Sequence, residues 1–251
     1  MAARKPVLSP TRICTWLECR RRYWYIYEKK LPRYFGARAS FSFGNSLHRA
    51  LQEYHRAGGP EAQDAGALVA QLERSWVAAG YDSAEAEQAR LSQGREVLTA
   101  YHEGGAGQEG ETLFTEKVLR SDMGEYVLTG RVDRLDRLPG GELEVIDYKS
   151  GERLPSAAEV AEDLPMALYQ LLCARQFQCP RVKASIYHLR THRKVSVVRS
   201  ETELRPVAAG VDGIFAEIQE EKEFARLAGD HCRGCDFHRR CWGRPAALGT
   251  S

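Results

Sequence analysis

Gly130-Arg131-Val132-Asp133-Arg134-Leu135-Asp136, then Leu138-Pro139-Gly140-Gly141-Glu142, then Glu144-Val145-Ile146-Asp147-Tyr148-Lys149-Ser150-Gly151 is the stretch that decides the reading of this chain. Its middle block has turn composition and its flanks are rich in strand formers, so the segment reads as a β-hairpin. Asp133 and Asp147 are each seven residues from Gly140, and a hairpin folded there sets them opposite each other. Cross-strand neighbours on one face have Cβ atoms about 5 Å apart. Two carboxylates that close repel unless a cation separates them, and hard oxygen ligands suit Mg²⁺ or Mn²⁺. Strand alternation puts Lys149 on the same face as Asp147. An ammonium there can orient a water or stabilise charge on a phosphate. The plain alternative is a pair of solvent-facing aspartates with Lys149 as their ion-pair partner. Val145 and Ile146 weigh against it, because consecutive apolar residues mark a strand covered on both faces. An unpartnered aspartate continuing such a strand is costly.

Outward from the hairpin, the pattern alternates between helical and strand periods. Ser9-Pro10 has the form of an N-cap followed by proline at the first helical position, and opens a helix over 10–30 that carries Ile13, Leu17, Trp24 and Tyr27. A second helix is expected over 44–54, and an all-helical insert over 61–104. Strands are expected over 112–119, 125–135 and 143–148, helix over 155–178, a strand pair over 182–189 and 195–199, and helix over 202–228. This order predicts an α/β fold with a mixed central sheet flanked by helices and a helical lobe, in a single domain spanning 1–251.

The chain has 251 residues and a formal net charge of only +2, so it is not a polycation and any nucleic-acid binding falls to a local patch. No apolar run approaches the roughly 18 residues needed to span a bilayer. Met1 to Pro6 is not followed by the apolar stretch of a secretory leader, which gives a cytoplasmic expectation. Seven cysteines, an odd number in a long chain, argue against a secreted disulfide scaffold. Three of them form Cys232-x2-Cys235-x5-Cys241, a compact thiolate set that points to a metal centre needing a fourth ligand. Zinc and iron–sulfur both fit that spacing, and His231 or His238 could replace a cysteine in a zinc site.

The segments "GRVDRLD" and "EVIDYKSG" closely resemble two motifs of the RecB-like branch of the PD-(D/E)xK nuclease superfamily. The resemblance implies a restriction-endonuclease-like fold, with Asp133, Asp147 and the backbone carbonyl of Tyr148 as metal ligands and Lys149 as the catalytic lysine. Gly44-Asn45-Ser46-Leu47-His48-Arg49-Ala50-Leu51 is similar to the family's Gly-x3-His-x2-Leu motif and implies that His48 completes the metal site. Taken alone, a histidine on a helix is more often a capped or core residue. "LSPTRICTWLECRRRYWYIY" resembles the start of RecB-like and AddB-like nucleases, in which one N-terminal cysteine joins three C-terminal ones on a [4Fe–4S] cluster. The matching residue is Cys19, which leaves Cys14, Cys173 and Cys179 as packing residues. Such a clasp would join positions more than two hundred residues apart.

Arg20, Arg21 and Arg22, with Tyr23, Trp24 and Tyr25, could hold phosphates and stack bases; equally, the aromatics could pack the helix with the arginines in water. Tyr169 matches the tyrosine of the family's Gln-x3-Tyr motif, but Pro165 stands at the glutamine position, and Gln170 would point elsewhere. The resemblance therefore implies a Mg²⁺- or Mn²⁺-dependent DNA nuclease, an exonuclease of DNA repair or recombination, acting on DNA with single-stranded character. The chain contains no Gly-x4-Gly-Lys-Ser/Thr phosphate loop, so any helicase would be a partner. Two other readings stay open: a CRISPR-associated iron–sulfur nuclease that processes DNA for spacer acquisition, and a non-catalytic iron–sulfur DNA-binding module.

Overall fold

The hairpin forms where the turn residues place it. Strands β3 (Val127–Arg137) and β4 (Leu143–Lys149) pair antiparallel. Gly141, at φ +84°, takes the left-handed turn position that favours glycine, and its N–H donates to the Leu138 carbonyl. The register is the one expected from folding about Gly140, running from Arg137↔Leu143 to Arg134↔Ile146. The ladder stops there, one pair short of Asp133 and Asp147.

The structure is a computed structural model that describes residues 4–32 and 38–243. The N-terminal start that set the leader expectation, and both ends of the expected 1–251 domain, lie partly outside the described residues. Strand β2 (Glu111–Asp122) runs antiparallel to β3 along its whole length. Strand β5 (Arg181–His188) is parallel to β4, and β6 (Arg193–Ser200) is antiparallel to β5. The two-residue β1 (Val7–Leu8) pairs in parallel with Val127 and Leu128. The result is a six-stranded mixed sheet. With β2 holding one edge of β3, β1 and β4 share the other edge and meet opposite ends of it. Residues 129–133 are left with no strand partner on that edge.

Helices cover both faces, as the near-continuous burial of β4 requires. On one side α3 (Ala39–Arg56), α4 (Ala65–Ser75) and α5 (Ala84–Glu103) bury Leu47, Leu51, Leu68, Leu72 and Leu98 against Ile146 and Tyr148. The last two are the helical insert, and α3 is longer than the expected 44–54. On the other side α1 (Pro10–Glu18), α7 (Leu164–Phe177) and α8 (Glu201–Glu220) enclose Val145, Leu168, Leu172 and Phe215. The short α6 (Ala157–Glu162) is separated from α7 at Asp163, whose side chain caps α7 by accepting from Met166 N. Helix α8 ends at Glu220 rather than continuing to 228, because the Glu221 carboxylate accepts from the N–H groups of Glu223 and Phe224 and reverses the chain. Among the described residues no helix is long and apolar enough to cross a membrane.

The expected helix over 10–30 is corrected by the structure. Its cap is as read, with Ser9 accepting from Arg12 N and Pro10 following. Cys19, however, is extended (φ −164°, ψ 112°) and divides α1 from a short α2 (Arg20–Tyr23), after which Trp24–Glu28 is a π-turn. The break resets the helical phase. Leu17 is consequently exposed, while Trp16 and Tyr23 take the fully buried positions.

Beneath the hairpin lies a charged core. Arg134 is wholly buried and donates to Asp136 Oδ2 from Nε (3.0 Å) and Nη2 (2.7 Å). Its Nη1 lies within 3.1 Å of the Tyr101 and Tyr148 hydroxyls, His55 Nε2 and the Ala106 carbonyl. Burial, and then the Arg134 charge, push the His55 imidazole down to about 2, so it is neutral and can accept from the guanidinium. Removing one member of a buried ion pair strands the other. Arg134→Ala is therefore expected to cost about 3–5 kcal/mol, read as a lowered urea midpoint, whereas Arg134→Met with Asp136→Leu recovers most of that loss. An unchanged midpoint in Arg134→Ala would show that the network does not hold the hairpin.

Candidate metal centre and cleft

Where β3 and β4 part, side chains take over from the ladder. Asp133 Oδ2 accepts from Tyr148 N at 2.8 Å, replacing the backbone bond that a continued ladder would make. His48, on α3, reaches both strands: Nε2 donates to the Tyr148 carbonyl at 3.0 Å, and Nδ1 lies 3.3 Å from Asp133 Oδ2. Burial opposes charge on His48, but the hydrogen bond to Asp133 and the nearby carboxylates outweigh it and raise the imidazole above its ordinary value. Burial likewise opposes charge on Asp133, yet His48, the Tyr148 N–H and Lys149 together hold it below the usual carboxylate range. A cation seated here would displace the proton between them, since only a neutral imidazole ligates metal.

Glu116 is the residue that sequence reasoning missed. It stands on β2 between Thr115 and Lys117, which pair with Arg134 and Val132, so it faces Asp133 from the other edge of β3. Its φ of +49° is left-handed, an uncommon state for a non-glycine residue that is informative when it falls at a site. The hairpin arithmetic applied about Gly140 would have found it: folding β2 onto β3 around Gly124 and Glu125 sets Glu116 across from Asp133. Ligand atoms of His48, Glu116 and Asp133 all lie within 4.8 Å of one another, the one such group among the described residues. Burial pushes the Glu116 carboxyl up, against the pull of Arg131, whose Nε is 2.9 Å from Oε2.

Asp147 sits beside this group without belonging to it. Lys149 Nζ lies 2.7 Å from Asp147 Oδ2, an ion pair on the expected strand face. Burial pushes the Asp147 carboxyl up, with Asp133 adding to it and Lys149 opposing. Lys149, despite burial, is raised by Asp147 and so stays a cation at neutral pH. An imidazole, three carboxylates and a carbonyl form a donor set suited to a hard divalent ion, with the histidine favouring Mn²⁺.

His48, Glu116, Asp133 and Lys149 open into a cleft of about 680 Å³, lined also by Arg49, Arg131 and Tyr169. Tyr169, on α7, packs its ring over Gly130, where a Cβ would come within 3.0 Å of it. Pro165 occupies the first turn of α7, which accounts for its place at the motif's glutamine position. Gln170 is buried and turned away, donating to the Val182 carbonyl at 2.7 Å. Arg20, Arg21 and Arg22 are not brought to the cleft. Arg20 pairs with Glu217 and Glu221 at 3.0 Å each, Arg21 donates to the Glu223 carbonyl, and Arg22 pairs with Glu18. Arg20 and Arg21 thereby tie the N-terminal helices to the end of α8 and the turn after it.

Away from the cleft, Cys19, Cys232, Cys235 and Cys241 line one small pocket together with His231, His238 and Trp242. Cys14 does not line it. Burial pushes the Cys235 and Cys241 thiols up, with the nearby Tyr25 hydroxyl opposing it at Cys241. The extended conformation of Cys19 is what brings its side chain, from between two helices, to the three C-terminal thiols.

Comparison with solved structures gives fold-level neighbours. The crystal structure of SSO0001 matches at 14% identity and a TM-score of 0.44, covering 98% of this chain and 90% of that one. A protein of Eubacterium rectale, provisionally named an exonuclease, matches at 12% identity and a TM-score of 0.52, covering 91% of this chain and 87% of that one. A comparison with curated proteins finds no match. The family model of the PD-(D/E)XK nuclease superfamily matches residues 7–242, which contain the hairpin, the cleft and all seven cysteines. The mixed sheet and its flanking helices are the restriction-endonuclease-like fold of that group, and the chain belongs to the PD-(D/E)XK nuclease superfamily.

Proposed function

We propose that the chain is a divalent-metal-dependent deoxyribonuclease, an exonuclease of DNA repair or recombination, and that it works as one nuclease domain. The observation that carries the reading is the convergence of His48, Glu116 and Asp133 within 4.8 Å, beside Lys149 in an open cleft. His48, Glu116, Asp133, Asp147 and the Tyr148 carbonyl would hold Mg²⁺ or Mn²⁺. The imidazole and two carboxylates brought within 4.8 Å of one another support that fit, since acidic groups this close are stabilised by a cation between them. A bound divalent ion would supply Lewis-acid polarisation of the scissile phosphate and acidify a water.

The chain's own residues do the rest. Lys149, held protonated by Asp147, donates to the phosphate or orients the attacking water and stabilises developing negative charge; a lysine so charged is not the general base. Arg131 and Arg49 line the same cleft and can neutralise flanking phosphates. Tyr169 offers a hydroxyl and a ring on the opposite wall. The exonuclease assignment takes its support from the provisional name of the Eubacterium rectale protein.

The four cysteines would hold a [4Fe–4S] cluster, with zinc as the other metal centre the set could take. Thiols kept neutral by burial become ligands when a metal compensates their ionisation. Closing so long a loop removes unfolded-state entropy, so the clasp is structural.

In end-labelled DNA assays, wild type is expected to cut with Mn²⁺ or Mg²⁺ and not with EDTA. Asp147→Ala should be inactive, and Lys149→Ala slower by roughly 10²–10³, the scale of one missing charge-stabilising donor; wild-type rates in either variant would remove these residues from the site. Glu116→Gln should weaken Mn²⁺ binding in calorimetry by at least ~10-fold, since even outer partners of a metal site cost that much. Unchanged binding would make Glu116 a bystander. Cys19→Ala should lose iron by absorbance and metal analysis while Cys14→Ala keeps it; stoichiometric zinc in the wild type would replace the cluster with a zinc clasp.

A further inference from the structure

The clasp segment carries a second feature that the metal chemistry does not use. Arg233 lies between Cys232 and Cys235, and Arg239 and Arg240 immediately precede Cys241. These three arginines are exposed, and together with Arg38 they line an open groove of about 590 Å³. The one carboxylate on its wall is Asp236. Arg233 spends little of its charge on Asp230, a solvent-exposed pair at 3.7 Å. Among the described residues Arg239 and Arg240 make no ion pair with a carboxylate, and Arg240 acts on the Tyr25 hydroxyl. Four guanidinium groups around one opening repel each other, and an anion that threads between them relieves the repulsion.

Arg38 connects this groove to the metal centre. Its guanidinium lies over the ring of Phe41, 5.7 Å from the centroid, and Phe41 in turn lines the cleft that holds His48, Glu116 and Asp133. Phe41 is 55% exposed, on the first turn of a helix whose inner face is otherwise packed. A phenylalanine left in water at the mouth of a catalytic cleft, flanked by arginine, is the arrangement that stacks an unpaired base while the phosphates run past on either side. Arg38 is also the N-cap of α3 and its side chain makes no cap hydrogen bond, so the positive end of the helix adds to the field at the same point.

Building on the nuclease reading, we propose that a single polynucleotide strand runs from the clasp groove of Arg233, Arg239 and Arg240, past Arg38, and stacks a base on Phe41 as it enters the cleft. The occupant is single-stranded because stacking on Phe41 needs an unpaired base. The cysteine clasp then has a part in substrate handling: the short turns that hold the thiolates also set the spacing of the phosphate-binding arginines.

The test is fluorescence anisotropy on the full chain without added divalent ion, using labelled oligothymidylates of roughly 5 and roughly 20 nucleotides, which bracket the span of a single-strand groove. Wild type should bind the longer strand more tightly. Arg239→Ala with Arg240→Ala should erase that length advantage and lower the slope of log affinity against log salt by about 0.7 for each phosphate no longer neutralised; the double Lys variant should keep both. Phe41→Ala should weaken binding of a base-bearing strand by roughly 5- to 150-fold, the range for one stacked base, and leave an abasic strand unaffected. Thermal melts by circular dichroism check that the variants remain folded, and Phe41→Trp gives an independent readout, its fluorescence quenched by the base-bearing strand alone. Length advantage and salt slope equal to wild type in the double Ala variant, or equal losses on abasic and base-bearing strands in Phe41→Ala, would overturn the track. Metal-dependent cutting that persists alongside such a result leaves the nuclease reading standing. A wild type that neither binds nor cuts any polynucleotide removes both.

Discussion

The backbone pairing of β3 with β4 ends at Arg134 and Ile146, and the site depends on that ending. A ladder carried one pair further would have consumed the Tyr148 N–H and carbonyl in strand pairing. Because it stops, the N–H is free for the Asp133 carboxylate and the carbonyl for His48. On the other edge of β3, the left-handed Glu116 interrupts the β2 pairing at the same level. Three ligand types therefore converge where the sheet is least saturated by its own hydrogen bonds. The gap also lets Tyr169 lie over Gly130, where a side chain on β3 would collide with it.

An open edge in a sheet is a liability unless the strands on either side are held. Here the holding is done by Arg134, one residue from Asp133. Its partners come from α3, α5, the turn at Ala106 and β4, so one guanidinium ties together the layers that would otherwise shear at the gap. Tyr148 belongs to both systems. Its hydroxyl is in the buried network and its backbone meets His48 and Asp133, so the position of the carbonyl is fixed from inside the protein. Lys149, the next residue, emerges into the cleft from that fixed point with its charge maintained by Asp147.

Much of this was legible because hairpins obey arithmetic. Turn residues at Gly140 and Gly141, and apolar residues on both faces of β4, were enough to set the register and to bring Asp133 and Asp147 to the same level. Periodicity placed the helical insert and the strands, since their burial patterns repeat at 3.6 and 2. What could not be read were features set by tertiary partners. Cys19 breaks its helix to reach thiols from the far end of the chain, and no local propensity encodes that. Arg20, Arg21 and Arg22 read as a phosphate grip from their charge, but Glu217, Glu221 and Glu18 claim two of them and a backbone carbonyl the third. Glu116 escaped notice because a glutamate in an amphipathic edge strand is ordinary until the partner strand is known to carry an aspartate opposite it.

The C-terminal segment has little to hold it apart from its cysteines. Among the described residues after α8 the chain makes a short 3₁₀ turn at Asp230–Gly234 and the five-residue α9 (His238–Trp242), both too short to be stable alone. Among its described residues the deeply buried side chain is Phe237, which packs against Tyr25 at 5.0 Å between ring centroids. Its anchor is the π-turn and the Cys19 break at the other end of the chain, which are themselves pinned to α8 through Arg20. The proposed metal centre joining Cys19 to Cys232, Cys235 and Cys241 would act at a place where the described chain has little apolar packing. With that clasp formed, the position of Arg233, Arg239 and Arg240 would be set by it rather than by the core.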